Sequence, residues 1–176
     1  VAEVMGSAPR LASHLNRRPS LLDYVLEPEF YGAIPDKHSL DMEILNLLVA
    51  APDYETCLDQ SRIWTGDRML QVGIHALRLL LPWNQISAAI SDIASSVISA
   101  LAAQVRKEFS YQHGVIPGGQ WIILGMGKLG GREMTPTSDL DLIVIYDHDI
   151  AAEGSDGQNS LSPGQYYSRL TQRLIN

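Results

Sequence analysis

The chain has 176 residues, 45% hydrophobic and 19% charged, with a net charge of −7. That balance excludes a disordered chain, and the acid excess lacks the basic footprint of nucleic-acid binding. The single cysteine, Cys57, excludes an internal disulfide and a cysteine zinc cluster. No unbroken apolar run approaches about 18 residues, and Val1–Met5 opens no basic-then-apolar leader, so a cytoplasmic protein with no nucleic-acid or membrane partner is expected. The sequence starts at Val1 with no initiator Met and stops at Asn176 inside a predicted helix, so it reads as a piece of something longer.

Residues 1–111 predict an all-α helical bundle. Ser7 and Pro9 open a short basic helix through Arg17, and Pro19-Ser20 restarts it with Leu21, Leu22, Val25 and Leu26 as its stripe. Glu27 to Lys37, broken by Pro28, Gly32 and Pro35, is a predicted loop. Ser39 is expected to cap a helix carrying Leu40, Ile44, Leu45, Leu47 and Leu48. Another starts at Pro52-Asp53 and runs to about Leu81, with Leu58, Met69, Leu70, Ile74 and Leu77 on its face. The clearest helix is Gln85 to Tyr111, where Ile86, Ile90, Ile93, Val97, Leu101, Val105 and Phe109 recur at three- and four-residue steps. Buried packing is expected for Cys57 and for Trp64, Trp83 and Trp121.

Residues 112–176 change texture. Gly114, Pro117, Gly118 and Gly119 make a break, and Trp121 to Leu124 predicts a buried strand. A glycine-rich turn leads to a second strand over Leu140–Tyr146, then a polar loop. Ser162-Pro-Gly-Gln165 fits a capping box that opens a last helix with Tyr166, Leu170 and Leu174 inward. The expected fold class is α+β: the bundle at 1–111, then the start of an incomplete α/β domain at 112–176.

Chemistry is concentrated between Gly125 and Leu142. Gly125, Gly127 and Gly130 satisfy G-x-G-x-x-G, but the dinucleotide fold needs a crossover helix to a parallel strand, and Thr135-Pro136-Thr137 leaves no room for one. A phosphate-binding P-loop fails too, because Leu129 follows Lys128 and Ile122 stands where the first glycine belongs. A nucleotidyl-transfer site fits better. Asp139 and Asp141, two apart at a strand start, would share one face about 6–7 Å apart. Paired carboxylates call for a cation, and magnesium takes one or two of them together with phosphate oxygens and water. Gly127, Gly130 and Gly131 would let backbone N–H groups approach a triphosphate, with Lys128 and Arg132 adding charge. Singly, an Asp-x-Asp is commonly a solvated face and a Gly-Gly turn only a turn. Their combination, twelve residues from Gly127 to Asp139 between two strands, favours the site. His113, His148, Glu133, Tyr166 and Tyr167 read as structural or surface residues, and Asp147 shares the Asp139 face but lies too far along it.

Gly127 followed by Ser138-Asp139-Leu140-Asp141-Leu142 resembles the polymerase-β-like nucleotidyltransferase superfamily. The longer string G-M-G-K-L-G-G-R-E-M…S-D-L-D-L-I is similar to the glutamine synthetase adenylyltransferase (glutamate–ammonia-ligase adenylyltransferase) family. The likeness extends upstream through His14 to Leu22 and Pro52 to Glu55, and downstream through Gln165 to Arg173. It implies a nucleotidyltransferase-type domain that transfers AMP from ATP to a tyrosine of glutamine synthetase, under control of PII-type signalling proteins and glutamine. It implies Asp139 and Asp141 as catalytic, Mg2+-binding carboxylates, and Gly127, Lys128, Gly130, Gly131 and Ser138 as nucleotide-binding residues. Lys128 departs from the serine usual in the superfamily. A third carboxylate of the superfamily, on a later strand, is expected beyond Asn176, so this span alone is expected to be inactive. The sequences around Asp139 and after Gln165 look more like the adenylylating half of these two-halved enzymes. The deadenylylating, phosphorolytic half is the alternative, and a catalytically dead helical interaction module is a third reading.

Overall fold

The computed structural model describes residues 28–175, and the expected helices at Ser7–Arg17 and Pro19–Leu26 lie outside the described residues. A 3-10 turn at Pro28–Tyr31 leads to helices α1 (Lys37–Val49), α2 (Tyr54–Leu77) and α3 (Trp83–His113). Strand β1 (Gln120–Gly125), the one-turn helix α4 (Gly127–Gly130), strand β2 (Leu142–Asp147) and helix α5 (Pro163–Ile175) follow. The class is α+β: helices with a small two-stranded antiparallel sheet.

The caps differ from expectation at one helix. Asp36, not Ser39, caps α1: its carboxylate accepts from the Ser39 N–H at 2.8 Å. Asp53 caps α2 by accepting from Thr56 N–H at 2.7 Å. These backbone bonds hold both carboxyls below their ordinary range. The loop between Glu27 and Lys37 contains the 3-10 turn, and its Phe30 is fully buried. The Phe30 carbonyl accepts from Gln71 Nε2 at 3.2 Å.

Helix α2 ends at Leu77 rather than near Leu81. Leu79 takes a left-handed φ of +54°. The Leu80 N–H returns to His75 O and the Leu79 N–H to Ala76 O, which is a Schellman ending without its usual glycine. Leu77, Leu79 and Leu80 are therefore turned outward, and Leu79 is 87% exposed. Trp83, at the start of α3, is also exposed, against the packing expected of it. Trp64 packs as expected, and its indole N–H donates to Glu43 at 3.3 Å. Cys57 is buried with its thiol pushed up by desolvation.

Helix α3 is the spine. Ile86, Ile90 and Ile93 join Leu40 of α1 and Val72 of α2 in one core cluster, together with Leu129 and Met134 from the strand-connecting segment. Farther along, Val105 and Phe109 pack with Ile116 and with Tyr166, Tyr167 and Leu170 of α5. By length and composition α3 could cross a membrane. The serines and glutamines within it hide this from a search for unbroken apolar runs, and its isoleucines are spent on packing in the core.

In the sheet Trp121 stands opposite Tyr146, Ile123 opposite Val144 and Gly125 opposite Leu142. This face is turned to the helices: Trp121 packs against the α3–α5 cluster and Leu142 against the first. The other face carries Ile122, Leu124, Ile143 and Ile145, all exposed. The expectation of a buried strand is thus half met, because among the described residues only one face is covered. Leu140, the expected first residue of this strand, is also exposed and precedes the strand.

Thermal or denaturant unfolding checks two opposite outcomes. Ile93→Ala empties a core position and is expected to cost about 2–5 kcal/mol. Leu79→Gly releases the left-handed strain and is expected to gain about 1 kcal/mol.

Candidate functional site

The site is built by what happens between the strands. The Met126 N–H donates to Asp141 O at 2.8 Å, one pair beyond the last strand pair. The chain then turns into α4 at Gly127, whose φ is +50°. A Cβ there would lie 2.7 Å from Asp141 Oδ2, so the absence of a side chain lets the turn sit directly against that carboxylate. A Cβ on Gly130 would lie 2.5 Å from Gly125 O. The N–H groups of Gly130 and Gly131, expected to face phosphate, donate to Met126 O and Gly127 O, each at 3.0 Å.

Asp139 and Asp141 are both exposed. They precede β2, which begins at Leu142, rather than opening it. The turn at Thr135–Ser138 delays the strand, although the Asp141 carbonyl already accepts a ladder-like bond from Met126. Among the described residues neither carboxylate has a hydrogen-bond or ion-pair partner for its side chain, and Lys128 has none either. Lys128 is exposed, and its carbonyl accepts from the Glu133 N–H at 2.8 Å. Glu133 itself lies in the loop after α4, not on a helix face. Ser138 uses its hydroxyl locally: it accepts from the Thr135 N–H and bonds the Thr135 hydroxyl, both at 2.9 Å.

Arg132 is not the free cation expected from the sequence. Its guanidinium is forked onto Asp92 of α3, with Nη1–Oδ1 at 2.6 Å and Nη2–Oδ2 at 2.8 Å. That carboxylate pushes the guanidinium above its ordinary range. Asp92 is the residue that sequence reasoning missed. It lies 40 positions upstream on a helix face, and no local motif links it to the turn.

A cavity of about 620 Å³ lies between α3 and the inner sheet face, lined among others by Ser99, Ala102, Arg106, Trp121 and Gly125. Neither carboxylate nor Lys128 lines it. Asp141 falls on the opposite sheet face, the side of Ile143, by the alternation of the strand. Among the described residues no cluster of three or more His, Cys, Asp or Glu could hold a metal ion. Two unpaired carboxylates match magnesium, which completes its shell with phosphate and water, better than a cage supplied wholly by protein. His113 and His148 set Nδ1 against Asn159 O and Asp149 O, at 2.7 Å and 2.9 Å respectively.

A family model described as glutamate-ammonia ligase adenylyltransferase matches residues 1–176. A bifunctional glutamine synthetase adenylyltransferase/adenylyl-removing enzyme of Rhodopseudomonas palustris is 42% identical over 99% of the chain. Proteins of the same description from Mesorhizobium japonicum and Bradyrhizobium diazoefficiens are 42% and 41% identical over the same share. The chain spans 18% of the length of each.

The glycine geometry predicts an order of tolerance. Gly127→Ala and Gly130→Ala are expected to destabilise by about 1–3 kcal/mol, whereas Gly131→Ala is expected to cost less than about 1 kcal/mol. Gly131 has φ −79° and its added Cβ would approach nothing nearer than 3.4 Å. Denaturant midpoints of the three variants check this.

Proposed function

The chain belongs to the glutamate–ammonia ligase adenylyltransferase family, and on that footing we propose that it carries the nucleotide site of an enzyme that moves AMP from Mg-ATP to a tyrosine of glutamine synthetase. The observation that carries this reading is the seat of the Gly127 turn against the Asp141 carboxylate, with Lys128 and Asp139 beside it in sequence and unpaired. A carboxylate pair, a cation and a turn without side-chain bulk are the parts that phosphoryl chemistry needs, since its catalysis is mostly positioning and charge neutralisation.

Asp139 and Asp141 would hold magnesium, which when bound neutralises charge on the ATP phosphates. Lys128 offers an ammonium to the phosphate oxygens, and Gly127 keeps the approach to Asp141 open. The tyrosyl hydroxyl gives its proton to a base, for which the third carboxylate expected beyond Asn176 is the candidate, and its oxygen bonds to the α-phosphorus as the bond to the pyrophosphate oxygen breaks, in line, with pyrophosphate leaving. Ser138 contributes by holding the Thr135–Ser138 turn that delivers Asp139. The domain beginning near residue 112 is read as nucleotidyltransferase-type, in the cytoplasm, and turnover is assigned to the longer protein under PII-type control. The relatives' names carry both adenylylation and adenylyl removal. The sequence around Asp139 and after Gln165 favours the first.

The test uses the full-length protein, ATP labelled at the α-phosphate, and glutamine synthetase. Asp139→Asn and Asp141→Asn are each expected to cut label transfer about 100-fold or more with unfolding midpoints unchanged. Transfer at the unmodified rate in both variants overturns the reading. Loss only of phosphate-dependent AMP release would assign the site to the removing activity instead.

A further inference from the structure

We propose that Asp92, on the helical bundle, is a positioning residue for the nucleotide-binding turn, acting through Arg132 on Lys128. The inference rests on the nucleotide-site reading above. Arg132 adopts φ +56°, a left-handed conformation that a residue with a side chain enters only at a cost. It is followed at once by Glu133, whose N–H closes onto Lys128 O at 2.8 Å, and its own N–H returns to Leu129 O at 3.1 Å. The bend at Arg132 therefore sets the backbone on which Lys128 is carried.

What holds the bend comes from 40 residues away. Both terminal guanidinium nitrogens of Arg132 meet both oxygens of Asp92, and the Asp92 side chain is only 14% exposed. A two-point fork fixes direction as well as distance, which a single surface ion pair does not. The same stretch of α3 takes up the chain on either side. Leu129 and Met134 are buried in the cluster of Ile86, Ile90 and Ile93, and the Met134 N–H points to Ser91 Oγ at 3.5 Å. Buried apolar side chains fix the depth of the segment, and the fork fixes its twist. Because the fork is engaged, Arg132 offers phosphate little, and its contribution to the site is the placement of Lys128.

A merely stabilising ion pair and a positioning pair differ in what they move. In the full-length protein, Asp92→Asn and Arg132→Gln are each expected to raise the KM for Mg-ATP about tenfold while kcat stays within about threefold. The double variant is expected to be no worse than either single one, since both remove the same contact. Arg132→Gly separates the roles: it relieves the left-handed strain, so the unfolding midpoint holds or rises, yet the KM is expected to rise as in the other variants. Wild-type KM in Asp92→Asn and Arg132→Gly, or fully additive losses in the double variant, overturns the proposal. If Asp139→Asn and Asp141→Asn abolish transfer while those variants behave as wild type, only the clamp fails. If Asp139→Asn and Asp141→Asn also keep full activity, the nucleotide-site reading fails with it.

Discussion

Leu129 and Met134 leave the segment between the two strands and are buried among Val72, Ile86, Ile90 and Ile93 of the bundle. The geometry near the carboxylates depends on this insertion. A two-stranded antiparallel ribbon has little stability of its own in water, and a one-turn helix has less. Anchored at two points to α3, the segment between them has little freedom left. Gly127 can then sit against Asp141 and the Thr135–Ser138 turn can precede Asp139 without either feature being stable alone. The helical part and the strand-bearing part share one core here, so the bundle serves as the wall on which the site is mounted.

The same arrangement explains why the sheet is one-sided. Alternation along β1 and β2 sends Trp121, Ile123, Leu142 and Val144 toward the helices and leaves Ile122, Leu124, Ile143 and Ile145 exposed. Asp141 belongs to that outer face. The cavity against α3 lies on the inner face, apart from the carboxylates, and its lining includes Arg106 together with Gly130 and the paired Arg132 of the turn segment. The two aspartates thus stand away from this cavity, while Gly130 and Arg132 of the turn segment line it.

Much of this was legible in the sequence because it is local. Three- and four-residue apolar steps placed α3 to within two residues at each end, and Pro163 after Ser162 placed the start of α5. The glycine turn between two strands follows from motif spacing alone, whereas the aspartates, expected to open the second strand, precede it. The failures have physical causes that spacing does not carry. The end of α2 is hidden in the sequence because a leucine occupies the left-handed position where glycine is the usual signal. Ser39 and Asp36 are both capping residues, and only the backbone of Asp36 shows which side chain accepts the bond. Arg132 reads as a free cation in the sequence because its partner is 40 residues away, and the two meet only when α3 passes under the turn. Nothing in the order of residues marks Asp92.

The Gly127 turn and the Asp139–Asp141 pair are proposed to form one metal-dependent nucleotide site. Local backbone cleavage by ferrous ion substituted for magnesium tests this most directly, with ATP present and ascorbate as reductant. Cuts are expected to be confined to the neighbourhoods of 126–131 and 138–142, to require ATP and to be suppressed by excess magnesium. Cuts elsewhere in the protein with these two segments untouched would contradict it.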